Sequence, residues 1–174
     1  MTGFIPYASP WWVNLLLIVP TVPWLLSLRQ KLRIGKGRLL LVALFGIAFG
    51  FVEAAVVVYL RAATGLWPGP ASQLLTIPSA LLRIECFREA ATIVMLVVIA
   101  LFAGRRAKDK FIVFLFAFAF WDFFYYIWLR VTIGWPQSLL TSDVLFLLPV
   151  PWTAQVWFPL LVSALTALVI WWRD

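Results

Sequence analysis

LFGIAFGFVEAAVVVYLRAATGLWPGPASQLL, residues 44–75, begins inside an apolar run that extends from residue 39 to residue 60 and holds one charged residue, Glu53. About 20 such residues in a helix cross the hydrocarbon core of a bilayer. A second stretch, LFAFAFWDFFYYIWLRVTIGWPQSLL at residues 115–140, belongs to a similar run over residues 111–129. Further runs at 10–28, 80–104 and 151–172 bring the expected number of spans to about five. Pro20 and Pro23 fall inside the first and predict a kink there.

Composition leads to the same class. Of 174 residues, 64% are hydrophobic and 12% charged, against roughly 45–50% and about 25% in soluble domains. A soluble chain of this size buries only about two thirds of its surface, so the excess apolar surface must meet lipid. The expected fold is an all-α polytopic membrane protein forming a single membrane domain over 1–174.

The basic residues orient it, because loops that stay in the cytoplasm keep Lys and Arg. Arg29, Lys31, Arg33, Lys36 and Arg38 fill the first loop, Arg105, Arg106, Lys108 and Lys110 the third, and Arg173 follows the last span. Only Asp109 and Asp174 accompany them. The other side holds Arg61, Arg83, Arg88 and Arg130 against Glu53, Glu85, Glu89, Asp122 and Asp143. This asymmetry predicts an amino terminus outside, a carboxyl terminus in the cytoplasm, and residence in the cell (inner) membrane. The formal charge of +7 is then a collar for anionic lipid headgroups, so membrane lipids are expected partners and nucleic acid is not.

The two quoted stretches also match each other. Glu53 precedes Leu60 and Arg61 as Asp122 precedes Leu129 and Arg130; Gly65 answers Gly134, and Trp67 with Pro68 answers Trp135 with Pro136. This predicts a tandem two-helix repeat: the second and third spans (39–106), then the fourth and fifth (111–174), after an extra first helix at 10–28. Two halves of equal topology imply a pseudo-two-fold axis along the membrane normal. Gly46 and Gly50 form a GxxxG pair that permits close helix approach. The outer loops, about 61–79 and 130–150, are apolar enough to fold back as short re-entrant or interfacial segments over a pocket. Trp67, Trp128, Trp135 and Trp152 are expected as an outer aromatic belt, with Trp171 and Trp172 on the inner side.

Polar residues concentrate at one depth. At 1.5 Å per residue, Glu53 lies about 12 Å below Arg61, as Asp122 does below Arg130. Asp122, Tyr126 and Arg130 form one stripe, and Glu85, Arg88 and Glu89 enter at the start of the third span, where Arg88 can pair with Glu85. A charge in hydrocarbon costs a few kcal/mol or more unless paired, hydrated or neutralised. Glu53, Arg61, Glu85, Arg88, Glu89, Asp122, Tyr126 and Arg130 are therefore the expected ligand-binding residues of a hydrated outer pocket, with interhelical locking as the structural alternative.

The absence of His and the single Cys86 argue against haem, zinc and a disulfide framework, and no cofactor is expected. Three function classes fit. The first binds or transports a small cationic or zwitterionic ligand or ion. The second is a membrane enzyme acting on a lipid or isoprenoid from the outer leaflet, with carboxylates as general acid or as Mg²⁺ or Mn²⁺ ligands. The third is an accessory subunit with membrane-protein partners. Whether the chain is an enzyme stays open. In its order of acid, Gly, Trp, Pro and then a carboxylate-bearing helix, carried by WDFFYYIWLRVTIGW and PSALLRIECFREA, the chain resembles the repeated membrane domains of the carotenoid lycopene cyclases over about two thirds of its length. It departs from them in lacking adjacent acids soon after the Pro: Glu85 lies seven residues beyond Pro78, and PVPWTAQVWF has no acid. No residue role is carried over.

Overall fold

Gly46 and Gly50 bring two helices into backbone contact. A computed structural model describes residues 7–29, 32, 34–65 and 78–174, and in it α2 (Lys36–Ala63) lies against α4 (Ala107–Ile133) through these glycines. A Cβ on Gly50 would meet the Trp121 carbonyl oxygen at 2.8 Å and the Tyr125 nitrogen at 3.0 Å; one on Gly46 would meet the Phe120 Cβ at 2.7 Å. Only glycine allows this approach. The Trp128 indole N–H donates to the Ile47 carbonyl at 2.9 Å across the same contact.

Of the described residues 74% are helical, and the protein is membrane-embedded. Among the described residues three helices are long and apolar enough to cross a bilayer: α2, α3 (Ser79–Ala103) and α4. They overlap the expected runs closely. The first run is a 3-10 helix, Trp11–Ile18, followed by α1 (Thr21–Arg29), bent by 42° at a break next to Pro20. Helix α5 (Trp157–Arg173) has 17 residues, about 25 Å at 1.5 Å each. Gly65 and Gly134, equated by the sequence match, share a role: each follows a helix with φ +69, the left-handed conformation in which glycine ends a helix without a Cβ clash.

Helix α4 is the hub, with α2, α3 and α5 all packed on it, while α3 scarcely touches α2. Helix α5 thus packs on α4, and α3 also packs on α4 rather than on α2. The main core, including Leu39, Phe49, Leu96, Phe116 and Ile170, fills one half of the bundle. At that end the basic segments meet. The Asp174 carboxylate accepts from the Ile34 and Gly35 N–H groups at 2.9 and 3.0 Å, Arg173 donates to the Ser27 hydroxyl at 2.7 Å, and Lys36 reaches the Trp171 carbonyl.

The opposite end departs from an all-α plan. Strands β1 (Ala8–Ser9), β2 (Ser142–Phe146) and β3 (Trp152–Gln155) form an antiparallel sheet in the order β1-β3-β2, with a bulge between Val144 and Phe146. Part of the expected fifth span, 151–172, is thus strand, and helix begins only at Trp157. Backbone N–H and C=O groups shielded from water must pair within the protein, and a hairpin does this in a segment broken by Pro149 and Pro151. Behind it, Ala8, Val13, Ala154 and Phe158 form a second small core. The described tryptophans expected in the outer belt each have a ring or cation partner. Trp128 rests on Phe51, Trp135 under Arg61, and Trp152 between Trp12 and Phe146; Trp67 lies outside the described residues. Trp172 is 87% exposed.

Replacing Gly50 by Ala should lower the thermal midpoint, by about 1–3 kcal/mol of stability, because both contacting atoms are backbone. Gly37→Ala, where nothing lies within 4 Å, should be neutral or slightly stabilising. Thermal unfolding in one detergent compares the two; equal midpoints would contradict the close crossing.

Candidate functional site

Four elements converge on one polar pocket at the sheet end. Glu53 and Val57 come from α2, one helical turn apart; Glu85, Arg88, Glu89 and Thr92 come from a single face of α3; Trp121, Asp122, Tyr125 and Tyr126 come from α4; Val144 to Leu147 cover it from the hairpin. The segment after α4 therefore folds back over the pocket as a β-hairpin.

The charges are held by specific partners. One Arg88 guanidinium bridges two carboxylates, pairing with Glu53 through Nη1 and with Glu85 through Nη2. The Thr92 hydroxyl donates to the second Glu53 oxygen at 2.8 Å. Both Glu89 oxygens accept the Leu147 backbone N–H, at 3.0 and 2.9 Å, which ties the hairpin to α3. Asp122 accepts from the Ser163 hydroxyl of α5 at 2.7 Å. The Tyr126 hydroxyl donates to Asp143 of β2 at 2.9 Å.

Six of the eight expected residues therefore line the pocket: Glu53, Glu85, Arg88, Glu89, Asp122 and Tyr126. Glu53 and Asp122 share it without bonding to each other, each having its own partner. Arg61 is buried but sits beside the pocket, its guanidinium 4.7 Å above the Trp135 ring, with Nε and Nη2 lacking hydrogen-bond partners among the described residues. Arg130 is exposed and donates to the Gly134 and Pro136 carbonyls at 2.6 and 2.9 Å; it closes the turn after α4 and takes no part in the site. Sequence reasoning left Thr92, Trp121, Ser163 and the Leu147 amide out of the site, and counted Asp143 among the acids of that side without placing it there. Thr92 was visible at i+4 from Arg88; Ser163 and Leu147 carried no local signal.

Among the described lining residues one guanidinium faces four carboxylates, so the pocket is strongly anionic whenever they are ionised. Its free space is about 50 Å³, room for about three or four waters or a compact ion. No group of three or more His, Cys, Asp or Glu side chains among the described residues is placed to hold a metal ion. Beneath the pocket Phe49, Leu96 and Phe116 close the bundle with apolar packing. A second, apolar cleft of about 200 Å³ lies between α4, α5 and the 3-10 helix, and shares Asp122, Leu145 and Phe146 with the pocket wall.

Compared with protein-family models, with curated proteins and with solved structures, the chain matches none.

Burial raises the Asp143 carboxyl from the usual 3.8 to about 6, opposed by the Tyr126 hydrogen bond and by nearby Arg61. A raised folded-state value means that the native protein binds the proton more tightly, so this contribution to stability is complete below about pH 3.8 and is lost as pH rises through about 6. Midpoints measured from pH 4 to 7.5 should fall less steeply in Asp143→Asn than in the natural chain; Tyr126→Phe should move the inflection upward. Identical slopes would overturn the assignment.

Proposed function

We propose that this chain is a multi-pass protein of the cell (inner) membrane whose outer pocket binds or transports a small cationic or zwitterionic ligand or ion. The observation carrying this reading is the charge imbalance: four carboxylates around one guanidinium in about 50 Å³ of free space. Neutral partners such as Thr92, Ser163 and the Leu147 amide stabilise a carboxylate without cancelling its charge. A cation or proton entering the pocket relieves the remaining repulsion.

We further infer about five passes with the amino terminus outside and the carboxyl terminus in the cytoplasm, with the bent 3-10/α1 pair and short α5 as the outermost spans. The support is the meeting of α1, α2, α3 and α5 ends, with their Lys and Arg, at one end of the bundle. A tandem origin of the α2 and α4 segments is supported by their glycine-mediated contact and by the matched left-handed Gly65 and Gly134. In a Cys86→Ala background, an impermeant thiol reagent added to intact cells should label a cysteine at Gln137 and should reach one at Lys108 only after permeabilisation. The reverse pattern would invert the orientation.

A second reading has its own observation. The apolar cleft beside Asp122 has the shape for a hydrocarbon tail whose head enters the polar pocket, as an enzyme acting on a lipid or isoprenoid requires, with Asp122 as general acid. One experiment separates the readings. Thermal midpoints are measured with sodium, magnesium, tetramethylammonium, choline and glycine betaine, and in parallel with a decyl-chain quaternary ammonium. A compact cation should raise the midpoint of the natural chain, by about 2.7 kcal/mol of stability at one hundred times its Kd, and should not do so in Asp122→Asn, which retains an acceptor for Ser163. Stabilisation by the long-chain compound alone favours the enzyme reading. A well-folded Asp122→Asn protein that responds to every compound like the natural chain would make the cluster a purely structural lock.

A further inference from the structure

At the basic end, away from the carboxylate pocket, α2 and α3 separate and leave a groove of about 400 Å³. Its walls are apolar: Leu41 and Phe45 on α2 face Ile99, Phe102 and Ala103 on α3. Its mouth carries two cations, Arg38 in the first turn of α2 and Arg105 just past the end of α3. Positions 38, 41 and 45 follow one helical face. The apolar wall therefore runs about 10 Å inward from Arg38, at 1.5 Å per residue, which is the depth range of the upper acyl chain.

Neither guanidinium makes a side-chain hydrogen bond or ion pair with a described residue. The nearby acids are otherwise engaged. Asp174 accepts from the Ile34 and Gly35 amides and lines an adjoining hollow that it shares with Arg38 and Arg105 without pairing with either, and Asp109 accepts from the Arg106 amide. Two guanidinium groups that pair with no described residue, above an apolar slot, select a ligand with the opposite arrangement: one net negative charge on a phosphate, joined to hydrocarbon. A zwitterionic headgroup brings its own cation to the same place and gains less. A free phosphate leaves the phenylalanine-lined wall unused.

We propose that the α2–α3 groove is a specific site for one anionic phospholipid, its phosphate held between Arg38 and Arg105 and an acyl chain laid along Leu41, Phe45, Ile99 and Phe102. This site is independent of the pocket ligand. It also fills the space where the two helices otherwise barely meet.

The protein is reconstituted in vesicles of equal parts phosphatidylglycerol and phosphatidylcholine with matched chains and extracted in a mild non-ionic detergent. Lipids retained per protein are then counted by native mass spectrometry. At roughly fivefold for each arginine near the surface, the natural chain should retain phosphatidylglycerol over phosphatidylcholine about twenty-fivefold. Arg38→Gln with Arg105→Gln should abolish that preference, whereas Lys108→Gln with Lys110→Gln, elsewhere in the basic collar, should keep it. Ala103→Trp, which fills the groove and leaves both arginines, should lower phosphatidylglycerol retention at least fivefold, and it carries the test if the arginine variant fails to assemble. Equal preference in the two double variants would reduce the effect to diffuse collar charge and overturn the proposal. So would an Ala103→Trp protein that retains phosphatidylglycerol like the natural chain.

Discussion

A carboxylate within the membrane must be answered by a cation, a hydrogen-bond donor or a proton, and this requirement organises the sheet end of the molecule. Glu53, Glu85 and Glu89 project from helices with apolar faces, and each has a partner: Arg88 for the first two, the Leu147 amide for the third. The Glu89 contact does two things at once. It compensates the carboxylate, and it fastens the apolar hairpin to α3, turning a connecting segment into the cover of a pocket. Asp122 and Asp143 extend the pattern to α5 and to the sheet.

These contacts require α2, α3 and α5 to be gathered around α4, and the glycine pair makes that geometry attainable. With Gly46 and Gly50 against the α4 backbone, Glu53 is brought level with Asp122 and within reach of Arg88. Larger residues would hold α2 away and leave Glu53 facing a gap. Close packing in the core half and polar pairing in the other half are thus consequences of one crossing. Buried ion pairs need not add net stability. Their value here is positional, because the Arg88–Glu53 pair holds α3 and α2 together across the wall of the small pocket.

The molecule has two chemically distinct ends. One gathers acids around a small pocket beside an apolar cleft; the other gathers Lys and Arg around an apolar groove. Apolar packing through Phe49, Leu96 and Phe116 separates them. A cation-binding pocket at one face and an anionic-lipid site at the other are therefore independent readings, linked only through the α2–α4 framework.

Sequence by itself determined the solvent class and the main spans: the runs at 39–60, 80–104 and 111–129 correspond to α2, α3 and α4 within a few residues, because hydrophobicity, helical periodicity and bilayer thickness are local properties. It also placed Glu53, Glu85, Arg88, Glu89, Asp122 and Tyr126 on faces compatible with one site. Tertiary structure decided what local pattern does not encode. Strand β1 finds its partner β3 more than 140 residues away, so neither short segment announced itself as a strand. Arg61 and Arg130, matched by the sequence pattern, differ in place: the first is buried against the Trp135 ring and the second is exposed. Ser163 and the Leu147 amide became partners of acids only through helix packing and hairpin return, since a hydrogen bond depends on distances set by the whole fold rather than by spacing along the chain.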